Sequence, residues 1–117
     1  MPKASAMKAT ILHNPRCSKS REALALLTQA GADVTVIEYL KTPPTAGELA
    51  RLYARAGLSP REGLRKGEAE AKELLNADDA TILAAMVANP ILIERPLVET
   101  PNGVVIGRPP EAVQGLL

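Results

Sequence analysis

The sequence predicts an α/β domain built as β-α-β, then a helical middle, then β-β-α. Three observations carry this. First, "KATILH" (8–13) and "DVTVIEYL" (33–40), both rich in β-branched and aliphatic residues, flank a segment with apolar residues at helical spacing. Second, capping signals and prolines divide the stretch from Thr45 to Asn89 into short helical pieces. Third, "ILIERPLVET" (91–100) and "GVVIGR" (103–108) meet at Pro101-Asn102-Gly103, a turn suited to a hairpin.

Each element has a local reason. Asn14-Pro15 breaks the first strand. A helix follows from about Ser18, with Ala23, Leu24, Leu27 and Ala30 on one face, and Gly31 is placed to end it. Strand, helix and strand within so short a span imply a crossover joining parallel strands. "KTPP" (41–44) closes that unit. "TAGE" (45–48) is a capping-box pattern, in which the Thr45 hydroxyl accepts the Glu48 amide and the Glu48 side chain can reach back. Its helix carries Leu49, Leu52, Tyr53 and Ala56 as an apolar stripe. "SPRE" (59–62) repeats the pattern with Pro60 at the first helical position. Two more helices are expected over 68–75 and 79–88, the second with Ile82, Leu83, Met86 and Val87 inward, and Asn89-Pro90 stops it. Pro110 opens a last helix with Ala112, Val113, Leu116 and Leu117 apolar.

Composition narrows the function classes. A chain of 117 residues holds one modest core, and with no Phe, no Trp and two Tyr that core is aliphatic. Aromatic stacking on nucleobases is nearly unavailable. A net charge of +1 gives no bulk field toward nucleic acid or anionic membranes. A single cysteine excludes an intramolecular disulfide and a Cys-x-x-Cys pair, and suits a reducing cytoplasm. No stretch approaches a membrane span. The strand pattern begins at Met7–Lys8, so residues 1–6 are expected to be a disordered leader before a single domain over 7–117.

The chemistry concentrates in "HNPRCSKS" (13–20), which holds the only histidine and the only cysteine. A lone cysteine is more often a small core hydrophobe. Cys17, however, lies between a strand end and a helix start, where free amides and the helix dipole favour an anion. Arg16, Lys19 and Arg21 are cations nearby, and Ser18 and Ser20 offer hydroxyls. All favour a lowered thiol pKa and a reactive thiolate. His13 can support that thiolate. Arg65 in "GLRKG", Arg95 in "IERPL" and Arg108 in "IGRPP" would form an oxyanion clamp if the fold brings them to Cys17, because guanidinium forks bind oxyanions bidentately. Sequence spacing leaves that convergence open.

The strand and helix order is that of a thioredoxin-like domain with a helical insertion, and other small α/β sandwiches share it. Here "HNPRCSKSRE", "EYLKTPP", "GLRKG", "PILIERPLV" and "IGRPPE", in order from Met7 onward, closely resemble the glutaredoxin-coupled arsenate reductase family. The resemblance implies a thioredoxin-like three-layer sandwich with a mixed sheet and an inserted helical subdomain at about 45–88. It gives Cys17 the role of nucleophile, and Arg65, Arg95 and Arg108 the role of binding the oxyanion and its covalent adduct. His13, Ser20 and Arg21 become support for the thiolate, and Pro96 the cis-proline beside the active site. Ser18-Lys19 departs from the small Gly-Thr pair usual after the cysteine. The implied activity is reduction of arsenate to arsenite in the cytoplasm, by a monomer, with glutathione as co-substrate and glutaredoxin as partner, and with no bound metal or organic cofactor. Two other readings share the superfamily. One is a redox-responsive regulator that binds RNA polymerase, a class that commonly carries a Cys-x-x-Cys switch where this chain has Ser20. The other is a thiol oxidoreductase acting on another oxyanion.

Overall fold

The computed structural model describes residues 7–117, so the expected leader at 1–6 lies outside the described residues. The chain divides into two compact units, one formed by residues up to Glu38 together with Arg95–Leu117, the other by Tyr39–Glu94.

The first unit is a four-stranded mixed sheet. Strands β1 (Lys8–His13), β2 (Asp33–Glu38), β3 (Leu97–Thr100) and β4 (Gly103–Ile106) lie in the order β2-β1-β3-β4. β1 and β2 are parallel, joined through α1 (Ser18–Gln29), while β1–β3 and β3–β4 are antiparallel. This is the thioredoxin-like α/β order expected from the sequence. Alternation along the strands sends Ala9, Ile11 and Val98 to one face, where Ala23 and Leu27 of α1 and Val113 and Leu116 complete a buried aliphatic core. Removing a side chain such as Leu27 from a site so closed costs about 2–5 kcal/mol. α1 ends as the sequence suggests, with Gly31 in the left-handed region at φ 81° and its N–H bonded to the Thr28 carbonyl.

Three boundaries differ from the sequence reading. β2 stops at Glu38, because Tyr39 and Leu40 enter a turn. The strand expected over 91–100 begins only at Leu97, because Pro90 and Pro96 have no N–H to give a ladder, and Pro90–Leu92 forms a single 3₁₀ turn instead. The last helix, Pro110–Leu116, is 3₁₀ rather than α, but still buries Val113 and Leu116.

The second unit holds α2 (Ala46–Ala56), a 3₁₀ turn at Pro60–Gly63, α3 (Ala69–Leu74) and α4 (Asp79–Ala88). Thr45 Oγ1 accepts the Glu48 N–H at 3.1 Å, but the Glu48 carboxylate pairs with Arg51 instead of reaching back. The reciprocal capping box does form at Ser59 and Glu62. α2 buries Leu49, Leu52 and Tyr53, and packs on α4 with its Ile82 and Met86. The Tyr53 hydroxyl meets Met86 Sδ at 3.7 Å. Two backbone bonds tie the ends of this unit together, Arg65 N–H to Leu92 O at 2.7 Å and Glu94 N–H to Gly63 O at 2.8 Å.

One close approach in the first unit leaves no room for a side chain. The N–H of Gly107 donates to Pro96 O at 2.8 Å, and a Cβ built on Gly107 would lie 2.8 Å from Pro96 Cγ and 3.3 Å from a Val113 methyl. A side chain at 107 would run into the Pro96 ring beside Arg108. Gly107→Ala is therefore expected to lower stability by ~1–3 kcal/mol through overpacking, measured by urea unfolding. Unchanged stability would mean that the β3–β4 segment yields easily.

Candidate active site

The site is built where β1 hands over to α1. After His13 the chain reverses through Asn14-Pro15. Asn14 Oδ1 accepts the Arg16 N–H at 3.0 Å, and the Asn14 carbonyl accepts the Cys17 N–H at 3.0 Å. This delivers Cys17 to the N-cap of α1 with extended backbone, φ −95° and ψ 122°. The first turn of α1 carries no acidic side chain, so nothing in that turn neutralises the positive end of the helix.

Register brings two arginines to the same place. Leu97 stands opposite Leu12 on one side and Ile106 on the other. Arg95 and Arg108 each lie two residues beyond the Leu97–Ile106 pair, so the hairpin carries both to the end of β1 from which the Cys17 loop departs. Arg95 is 5% exposed. Arg108 Nε donates to the Arg95 carbonyl at 2.8 Å, and its Nη2 reaches Cys17 Sγ at 3.5 Å. The Arg95–Pro96 peptide is cis, in agreement with the resemblance, and Arg108–Pro109 is also cis.

These surroundings set the thiol. Cys17 is a free cysteine, 9% exposed, and burial alone pushes its pKa up. The backbone N–H of Ser20, the Arg95 guanidinium, the N–H of Lys19 and the Arg108 guanidinium act against burial, and together they hold the thiol below the ordinary cysteine value. The sulfur makes no capping hydrogen bond of ordinary geometry, so the amides act as dipoles aimed at charge. The nearby cations are not the activators that the sequence suggested. Arg16 is exposed, Lys19 pairs with Glu22 at 3.9 Å, and Arg21 donates to Pro15 O at 2.8 Å, bracing the loop. The cations that lower the thiol come from residues 95 and 108.

A pH profile follows. Alkylation of Cys17 should rise with the thiolate fraction and reach its midpoint below the roughly 8.5 of a free cysteine. The sign for stability is the same. A depressed folded pKa makes the thiolate stabilising, fully so above the unfolded value, and that contribution is lost as pH falls through the folded one. A midpoint at or above the free value would remove the basis for a nucleophile here.

His13 and Ser20 form the base of the loop. His13 Nδ1 and Ser20 Oγ are 2.6 Å apart, both residues are buried, and Ser20 Oγ also accepts the Asn14 N–H at 3.0 Å. Burial lowers the His13 pKa, nearby Glu38 opposes this and Arg21 adds to it, so the neutral ring is favoured. His13 is thus bonded to Ser20, whose backbone N–H is among the groups that lower the Cys17 thiol.

The model of the ArsC family matches residues 12–116 of this sequence. The chain belongs to the ArsC family. Among its relatives is an arsenate reductase of Rhizobium meliloti (strain 1021), 44% identical over 115 residues, spanning 95% of this chain and 82% of the relative. Another is arsenate reductase ArsI2 of Synechocystis sp. (strain ATCC 27184 / PCC 6803 / Kazusa), 47% identical, with 92% and 79% coverage. The solved structure of an arsenate reductase from Vibrio cholerae superposes with a TM-score of 0.90 at 46% identity, covering 97% of this chain and all (100%) of that one.

Within this ArsC-family chain, Cys17, His13, Ser20, Arg21, Arg95, Pro96 and Arg108 all belong to the first unit. Arg65 belongs to the second, where it is half-buried and its Nη1 lies 3.4 Å from Glu68 Oε1. Sequence reading missed Asn14 as anything beyond a strand breaker, although Asn before Pro at a strand end is a recognised turn signal. Among the described residues no group of three or more His, Cys, Asp or Glu side chains could hold a metal ion, and no helix is long and apolar enough to cross a membrane.

Proposed function

We propose that this protein is a cytoplasmic arsenate reductase that works through a Cys17–arsenic adduct and draws electrons from glutathione and glutaredoxin. The observation that carries the reading is a buried thiol at a helix N-cap, held below its ordinary pKa, with the Arg108 guanidinium 3.5 Å from its sulfur. Arsenate carries negative charge and tetrahedral oxygens, which suit backbone amides and guanidinium groups. The Cys17 thiolate attacks arsenic, an S–As bond forms, and one arsenate oxygen leaves as hydroxide or water. Arg95 and Arg108 offset the charge on the adduct oxygens.

Reduction to arsenite requires two electrons. A glutathione thiolate attacks the Cys17 sulfur and the S–As bond breaks. Its electron pair stays on arsenic, taking As(V) to As(III), while Cys17 and glutathione are oxidised together to a mixed disulfide. A glutaredoxin thiolate then takes the glutathionyl group and frees Cys17. With Cys17 the only cysteine in the chain, no internal disulfide can do this work.

The test is a coupled assay following NADPH. Turnover is expected with arsenate, glutathione, glutaredoxin and glutathione reductase, and little with thioredoxin and thioredoxin reductase alone. Protein stalled without glutaredoxin should carry one glutathione on Cys17 by mass spectrometry. Full turnover on thioredoxin with no adduct would defeat the donor assignment. The role of Arg65 as an oxyanion ligand rests on the family match alone, and Arg65→Lys in the same assay is its test.

A further inference from the structure

We infer that Asn14 is a positioning residue for the Cys17 thiolate, fixing the arc from 14 to 20 so that the Lys19 and Ser20 amides face the sulfur. The inference rests on Cys17 being the nucleophile. Asn14 is bonded at both ends of that arc and at its middle. Its N–H donates to Ser20 Oγ, its carbonyl accepts from Cys17 N–H, and its Oδ1 accepts from Arg16 N–H, each at 3.0 Å. The first bond ties the strand end to the third residue of α1. The second sets where the N-cap begins. The third is an Asx turn, the local bond that makes Asn suited to this reversal.

The consequence for sulfur runs through Ser20. Its side chain is fully buried and shared between His13 and the Asn14 N–H, so its backbone has little freedom to turn away. After burial, which acts the other way, the Ser20 amide is the largest influence on the thiol, ahead of either arginine. Loosening the Asx turn lets the arc open and the amide dipoles lose their aim. The Arg16 bond is exposed, so its loss alone leaves the core of the unit untouched.

The experiment compares full-length wild type, Asn14→Ala and Asn14→Ser by iodoacetamide alkylation of Cys17 against pH, by thermal melting, and by arsenate turnover. Asn14→Ala should raise the alkylation midpoint by about half to one pH unit, and turnover near neutral pH should fall about five- to tenfold, as expected for one lost hydrogen bond. Asn14→Ser keeps a weaker acceptor and should fall between. A purely structural residue would lower the melting temperature and leave the midpoint where it was, and that result overturns the inference. Should Asn14→Ala fail to fold, Asn14→Ser decides alone, with a raised midpoint in favour and an unchanged one against. Alkylation uses no arsenate. A shifted midpoint in a protein that never reduces arsenate would sink the proposed activity and spare the role of Asn14.

Discussion

Cys17→Ser is expected to abolish arsenate turnover, by at least about 10³-fold as for other removed nucleophiles, while leaving the fold at least as stable. The two halves of this result have separate causes. A serine hydroxyl keeps its proton at neutral pH, and the amides and guanidinium groups that ionise a thiol cannot ionise it. No S–As bond forms. At the N-cap, however, serine is the better residue. The Cys17 sulfur makes no capping hydrogen bond, whereas a shorter serine oxygen can accept one from the first-turn amides. A gain of ~0.5–1 kcal/mol is expected from that cap. It should be measured at a pH low enough to keep the wild-type thiol protonated, since the thiolate's own stabilisation is then absent. Retained turnover would remove Cys17 from the mechanism. Lost turnover together with lost stability would leave folding as the simpler cause.

Arg108→Lys is expected to lower turnover by about 10²–10³-fold, the usual effect of losing one oxyanion donor. Arg108 does two things at once, donating Nε to the Arg95 carbonyl and presenting Nη2 to Cys17 Sγ. A lysine has one ammonium and cannot serve both. Charge is kept, so the alkylation midpoint should rise less in Arg108→Lys than in Arg108→Ala, while turnover falls heavily in both. The residue is exposed overall, and melting temperature should change little. Full activity in Arg108→Lys would show that charge alone suffices and that the fork is not used.

Much of the fold could be read before the structure because local chemistry decided it. β1 spans the predicted 8–13, α4 the predicted 79–88, and the hairpin turns where Pro101-Asn102 directs. Ser59 and Glu62 cap as their spacing requires. Reading failed where proline mattered more than side-chain pattern. Residues 91–96 look apolar and extended, yet Pro90 and Pro96 leave a 3₁₀ turn and a single bridge between Leu64 and Ile93. In the site, Cys17 was legible from its own neighbours. The helix-start amides that lower it were legible too, but the weight given to Arg16, Lys19 and Arg21 was not met, because adjacency in sequence is a poor guide once helix and turn decide where side chains point. Arg108 stands 91 residues from Cys17 along the chain, and only the register of β3 against β1 and β4 makes them neighbours.

That separation has a consequence for the protein during its synthesis. The loop from Asn14 to Ser20 can form as soon as β1 and α1 exist, but Arg95 and Arg108 arrive only with the closing hairpin. A nascent chain that has not yet reached residue 108 therefore carries a thiol that has its local Ser20 and Lys19 amides but lacks the Arg108 guanidinium. The guanidinium contributions are added once residues 95–108 have joined the sheet beside β1. The reactivity of one sulfur is accordingly expected to report whether the closing hairpin has docked against β1.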